Sequence, residues 1–269
     1  MRGLVGIAAL ALVFGTTPAS AQTGPATQVR ATGEGTECWV LLHPFGASGR
    51  FWERRAPLLA REHGVRVYFP DLPSHGASRI MARFTYADAA RAVREALRDV
   101  CPRPALIVGA SSGGIVAMKL GAATGARVAA IGVGSSFSEA NLAAMRTEAA
   151  TPSEGALAFQ RAFAEQGEAQ AAALRRHFGD LAASGTGPFL TGREARALRG
   201  RLLIVNGEAD DFFLPDSARQ LTRAVPGSRL ELIAGAGHLG PLGPPHADRL
   251  WALVGESARA GRQSAASPD

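Results

Sequence analysis

Ser111 stands in Gly109-Ala110-Ser111-Ser112-Gly113, after the apolar run Pro104-Ala105-Leu106-Ile107-Val108 and before Gly114-Ile115-Val116-Ala117-Met118-Lys119-Leu120. A serine hydroxyl is a poor nucleophile at neutral pH; it needs a base to take its proton and an acid to orient that base. A serine held between a buried strand and a helix, hemmed by small residues, exposes such a nucleophile. The pentapeptide alone carries little weight, because with 32 glycines in 269 residues roughly 0.2 matches arise from composition. Partners decide the matter. Of six histidines, His238 ends Ala234-Gly235-Ala236-Gly237-His238, just past the run Leu230–Ile233, where glycines let a loop approach a sheet edge. Asp210 lies in Asn206-Gly207-Glu208-Ala209-Asp210-Asp211, directly after Leu202–Val205. Asp211 competes with it, and Glu139 is a more remote acid. His63, His177 and His246 lack such strand-end, glycine-rich settings.

The elements that must position these residues read as alternating strands and helices. Trp39–Leu42, Val65–Phe69, Ala105–Val108, Val128–Val133, Leu202–Val205 and Arg229–Ile233 read as strands, with a short edge strand at Thr27–Ala31. Phe51–His63 and Tyr86–Asp99 read as helices, the second with Ala89, Ala90, Val93 and Leu97 on one side. Short, almost continuously apolar strands separated by helices imply an α/β fold with a mostly parallel sheet covered on both faces. Ser111, Asp210 and His238 all fall beyond carboxyl ends of strands, where open α/β sheets build their sites. Residues 137–198 break the rhythm, with no strand pattern but several amphipathic pieces, and read as a small helical cap over those ends. A closing helix is expected at 246–260, anchored by Leu250, Trp251 and Leu253, followed by a disordered tail at 261–269.

The amino terminus carries one arginine, a short apolar core at Leu4–Phe14 and the small-x-small ending Ala19-Ser20-Ala21. This pattern is that of an export signal cleaved after Ala21, too short to span a bilayer. The remaining chain, residues 22–269, suffices for one α/β domain. Cys38 and Cys101 each precede a candidate strand, so if those strands are parallel neighbours the sulfurs can meet; a disulfide fits an oxidising, periplasmic or extracellular compartment. The formal charge of +6 comes from scattered arginines, with Lys119 the single lysine. No basic-aromatic stripe or zinc-finger spacing points to nucleic acid. No metal-ligand cluster or phosphate-cradling loop is present in the sequence, and no cofactor is called for. Core and interface apolar residues look alike in one sequence, so oligomeric state stays open.

Over roughly residues 38–258 the chain resembles the α/β-hydrolase superfamily, in particular its small, capped serine hydrolases of esterase and lipase type. Leu42-His43-Pro44-Phe45-Gly46 resembles the family's His-Gly oxyanion loop, with Pro44 where glycine is commoner. Asp71-Leu72-Pro73-Ser74-His75-Gly76-Ala77-Ser78 is similar to its D-x-P-G-H-G-x-S turn, with Ser74 replacing a glycine. The resemblance implies a Ser111–His238–Asp210 triad and an oxyanion hole from the N–H groups of Phe45 and Ser112. It implies that His43 shapes the oxyanion loop and His75 braces its turn. The implied reaction is cleavage of a small or medium carboxylic ester through an acyl-enzyme. Lactone, amide or carbon–carbon bond hydrolysis and cofactor-free perhydrolysis use the same triad, and an inactive binding protein of this fold is the other class. Serine at 111 argues against dehalogenase and epoxide hydrolase chemistry, which use aspartate there. Phe45, Phe159, Phe163, Phe212 and Phe213 are the expected substrate-facing residues, with Phe178 and Phe189 also available to line the cap.

Overall fold

Among the described residues, seven strands and nine α-helices follow the alternation read from the sequence. The computed structural model describes the backbone of residues 25–266 and the side chains through 263, so the expected export signal lies outside the described residues. In chain order the elements are β1 (Ala31–Thr32), β2 (Cys38–Leu42), α1 (Ala56–His63), β3 (Arg66–Tyr68), α2 (Tyr86–Ala96), β4 (Leu106–Ala110), α3 (Ser112–Thr124) and β5 (Arg127–Ile131). Then come α4 (Glu139–Ala150), α5 (Glu154–Phe163), α6 (Gly167–Ala183), α7 (Gly192–Ala197), β6 (Leu202–Gly207), α8 (Pro215–Ala224), β7 (Arg229–Ile233) and α9 (Ala247–Ala266).

The sheet order is β1-β3-β2-β4-β5-β6-β7. Every pairing is parallel except β1 with β3. The central strands β2, β4, β5 and β6 are almost continuously apolar because each face is covered. Val40, Leu42, Ile107, Val128 and Ile204 pack on one side, and Trp39, Leu41, Leu106, Val108 and Val205 on the other. Helix α3 is buried almost all round, with Ile115, Val116, Ala117 and Met118 fully enclosed. Cys38 opens β2 and is joined by a disulfide to Cys101, in the loop before its neighbour β4. The parallel pairing of β2 and β4 is what brings the two sulfurs together.

Several boundaries differ from expectation, among them the edge strand, which is Ala31–Thr32 rather than Thr27–Ala31. The helix expected from Phe51 begins as a 3-10 turn at Gly49–Trp52, and α1 starts only at Ala56, with Pro57 in its first turn. Proline lacks the N–H needed further inside a helix and its ring clashes with the preceding turn. Within the disordered tail expected at 261–269, α9 instead continues through residues 261–266, while 267–269 lie outside the described residues. Arg262 from that stretch pairs with Glu37 at 3.0 Å, and Gly261 lets Arg127 pass against the helix. Within the expected cap, α4 and α6 pack on each other, whereas α7 packs on α3 beside the sheet, where Lys119 meets Glu194 at 3.1 Å.

Candidate active site

Ser111 occupies the sharp turn between β4 and α3 with φ 51° and ψ −120°, a left-handed conformation rare for a residue with a side chain. The turn is possible because the residues two positions before and after Ser111 are glycines. A Cβ on Gly109 would fall 2.2 Å from the Gly113 carbonyl oxygen, and one on Gly113 would fall 2.4 Å from the Leu42 carbonyl oxygen. The Ser111 N–H donates to the Ile131 carbonyl at 2.8 Å, fixing the turn to β5.

The other two residues arrive from the ends of β6 and β7. Their loops interlock: the Ala209 N–H donates to the Ala236 carbonyl at 2.9 Å. The structure brings Ser111, His238 and Asp210 into one hydrogen-bonded line. Ser111 Oγ lies 3.0 Å from His238 Nε2, and His238 Nδ1 lies 3.0 Å from Asp210 Oδ2. Asp210 is buried, and its Oδ1 accepts the N–H groups of Phe212 at 2.9 Å and Phe213 at 2.7 Å. Those two bonds hold the carboxylate toward the imidazole. Among the described residues no hydrogen bond joins Asp211 or Glu139 to His238, which separates Asp210 from its competitors.

The loop after β2 is braced by His43. Its Nε2 accepts the Leu72 N–H at 2.9 Å, so Nδ1 carries the proton and donates to the Pro44 carbonyl at 2.8 Å. Burial drives this imidazole from 6.5 down to about 4, which keeps it neutral. His75 is likewise buried and held well below its ordinary range, first by desolvation and then by the neighbouring His43. Its Nδ1 lies 2.8 Å from the Pro73 carbonyl oxygen. Neither ring reaches Ser111. Both serve the loops that carry Phe45 and Pro73.

A cavity of about 350 Å³ opens over Ser111 and His238. Phe45, Phe159, Phe212 and Phe213 line it as expected, and so does Phe178. Phe163 does not. It packs on Phe159 and Phe51, one turn further along α5. Phe189 is also withdrawn from the cavity, among Phe137, Phe213 and Tyr86. Sequence reasoning missed Tyr86, whose hydroxyl lies 3.3 Å from Ser112 Oγ, and the cap residues Gln160 and Arg175. Nothing local marks them: each sits on an ordinary helix whose docking alone turns it inward. Among the described residues no helix is long and apolar enough to cross a membrane, and no group of three or more potential ligands could hold a metal ion.

A mostly parallel sheet with its elbow serine under a small helical cap is the architecture of an α/β hydrolase. The chain belongs to the alpha/beta hydrolase family, whose model matches residues 39–252. It is 38% identical over 85 residues to the magnesium-chelatase 30 kDa subunit of Rhodobacter capsulatus, covering 30% of this chain and 28% of that protein. It is 38% identical over 91 residues to the pimeloyl-[acyl-carrier protein] methyl ester esterase of Methylococcus capsulatus, covering 34% of this chain and 33% of that protein. The matched stretches thus span about a third or less of these curated relatives. A solved carboxylesterase structure from Nitrososphaera gargenis superimposes with a TM-score of 0.69 at 18% identity, covering 87% of this chain and 96% of that one. That likeness is one of fold.

Proposed function

We propose that this protein is an exported serine hydrolase that cleaves carboxylic esters of small or medium acyl compounds. The observation that carries the reading is the line from Asp210 through His238 to Ser111, with 3.0 Å at each step. His238 Nε2 takes the Ser111 proton as Oγ attacks the acyl carbonyl, while Asp210 holds the ring in the required tautomer and offsets its positive charge. The oxyanion is received by the N–H groups of Phe45 and Ser112, the second at the positive end of α3. Each such donor is worth about 3 kcal/mol in the transition state. His238 returns the proton to the departing alkoxide. Water, deprotonated by the same ring, then releases the acid from the acyl-enzyme.

The aromatic lining and modest volume of the cavity support a small or medium acyl group over a polymer, which needs an open groove. The matched methyl ester esterase favours an ester as the bond cleaved. Export is supported by the disulfide, since reducing compartments keep such thiols apart.

A fluorophosphonate probe tests the reading directly. Labelling is expected at Ser111, and Ser111→Ala is expected to abolish both labelling and turnover of an activated ester. A folded protein that resists the probe supports a binding protein of this fold, and turnover retained by Ser111→Ala overturns the assignment.

A further inference from the structure

The wall of the cavity contributed by the cap is not uniformly apolar. Gln160, on α5, lines it among Ala156, Phe159 and Phe178. Its Oε1 is buried without a hydrogen-bond partner. Buried polar atoms in native proteins are nearly always paired, since an unpaired one forfeits its hydration with no return. Arg175, on α6, lines the same wall and spends a single nitrogen on Glu168, at 2.6 Å. Glu148 completes the polar end, with its Oε1 accepting the Ser153 N–H at 2.8 Å and hydroxyl at 3.0 Å.

We propose that Gln160 is a specificity-determining residue, and that the preferred ester carries a hydroxyl or secondary amide that donates a hydrogen bond to Gln160 Oε1. The inference rests on the ester-hydrolase reading and names its substrate class. A hydroxyl or secondary amide both donates and accepts, so one group satisfies Gln160 and offers an acceptor to Arg175. A carboxylate accepts from Arg175 at least as well but does only half of this. It has no proton for Gln160 and meets the Glu148 charge. A methyl terminus leaves the buried oxygen unpaired.

The test compares two ester series of graded length, one ending in a hydroxyl or acylamino group and one in a methyl group. The substituent is placed in turn on the acyl and the alcohol portion. Each pair is run on the wild type and on Gln160→Met, which keeps the length of the side chain and removes its hydrogen-bonding group. At one chain length the polar-to-methyl ratio of kcat/KM is expected to peak in the wild type and to drop roughly three- to tenfold in the variant. Turnover with the same ratio in both proteins at every length overturns the inference alone, as does a carboxylate-ended series that outruns the hydroxyl one. No turnover of any ester, with Ser111 unlabelled by a fluorophosphonate, overturns the hydrolase reading and this inference with it.

Discussion

Ser74 Oγ lies 3.0 Å from His177 Nε2, a contact that fastens the cap helix α6 to the loop after β3. Ser74 sits at φ 69°, where its resemblance partners carry glycine, and its Oγ also accepts the Met81 N–H at 2.9 Å. The hydroxyl proton is therefore free to be donated to the imidazole. Gln170, fully buried on the same helix, donates to the carbonyls of Ser74 at 3.1 Å and Gly76 at 2.7 Å. The serine thus retains a strained backbone in exchange for holding the cap over the cavity.

Ser74→Ala keeps the strain and removes both side-chain bonds, so it should lower stability by about 2–3 kcal/mol. Ser74→Gly relaxes the backbone and loses the same bonds, so its loss should be smaller by about 1 kcal/mol. Urea denaturation of the three proteins checks the order. A glycine variant less stable than the alanine variant would contradict this account.

The elbow predicts a separation of stability from activity. Ser111, at φ 51°, stores strain that glycine would release. After allowing for the looser unfolded chain, Ser111→Gly should be more stable than wild type by about 1 kcal/mol, while Ser111→Ala gains none of that relief. Thermal unfolding should show the glycine variant rising by about 2–4 °C. Both should be inactive toward an activated ester.

His43 makes stability depend on pH. Unfolded, its imidazole binds a proton near 6.5; folded, burial delays binding to about 4. Between those values the unfolded state holds more protons, so stability falls as pH drops through the window and the contribution is complete above it. The full span is worth about 3 kcal/mol. Protonated Nε2 would also confront the Leu72 N–H that it now accepts. His75, depressed in the same direction by its own burial, adds to the slope. Denaturation midpoints across this range should decline toward acid, and His43→Gln should flatten the decline.

Reduction should matter more than the size of the protein suggests. Cys38 and Cys101 are 63 residues apart, so their bridge restrains a long loop of the unfolded chain. Removing it should cost about 4 kcal/mol by loop-closure entropy. Urea midpoints with and without a phosphine reductant test this, with mass spectrometry confirming that the bridge has opened.

Much of the fold is legible in the sequence. The apolar runs at β2, β4, β5 and β6 are local signals, as are the glycines beside Ser111 and His238. A buried parallel strand needs the first and a close backbone approach needs the second. Boundaries were less legible. The start of α1 depends on Pro57, which the apolar pattern passes over, and the extension of α9 draws on contacts with Glu37 and Arg127 from distant parts of the chain.

The sequence by itself determined the residue types of the site and their placement beyond strand ends, because both depend on short stretches of chain. Only the tertiary structure shows which of Asp210 and Asp211 bonds His238, since that depends on which carboxylate the Phe212 and Phe213 N–H groups hold toward the ring. The same holds for the cavity wall. Phe159 and Phe163 lie one helical turn apart on α5, yet the first lines the cavity and the second packs on Phe51. Helix docking sets that difference: an amphipathic pattern says that a face is covered, and the position of α5 beside α6 and the loop after β2 says against what.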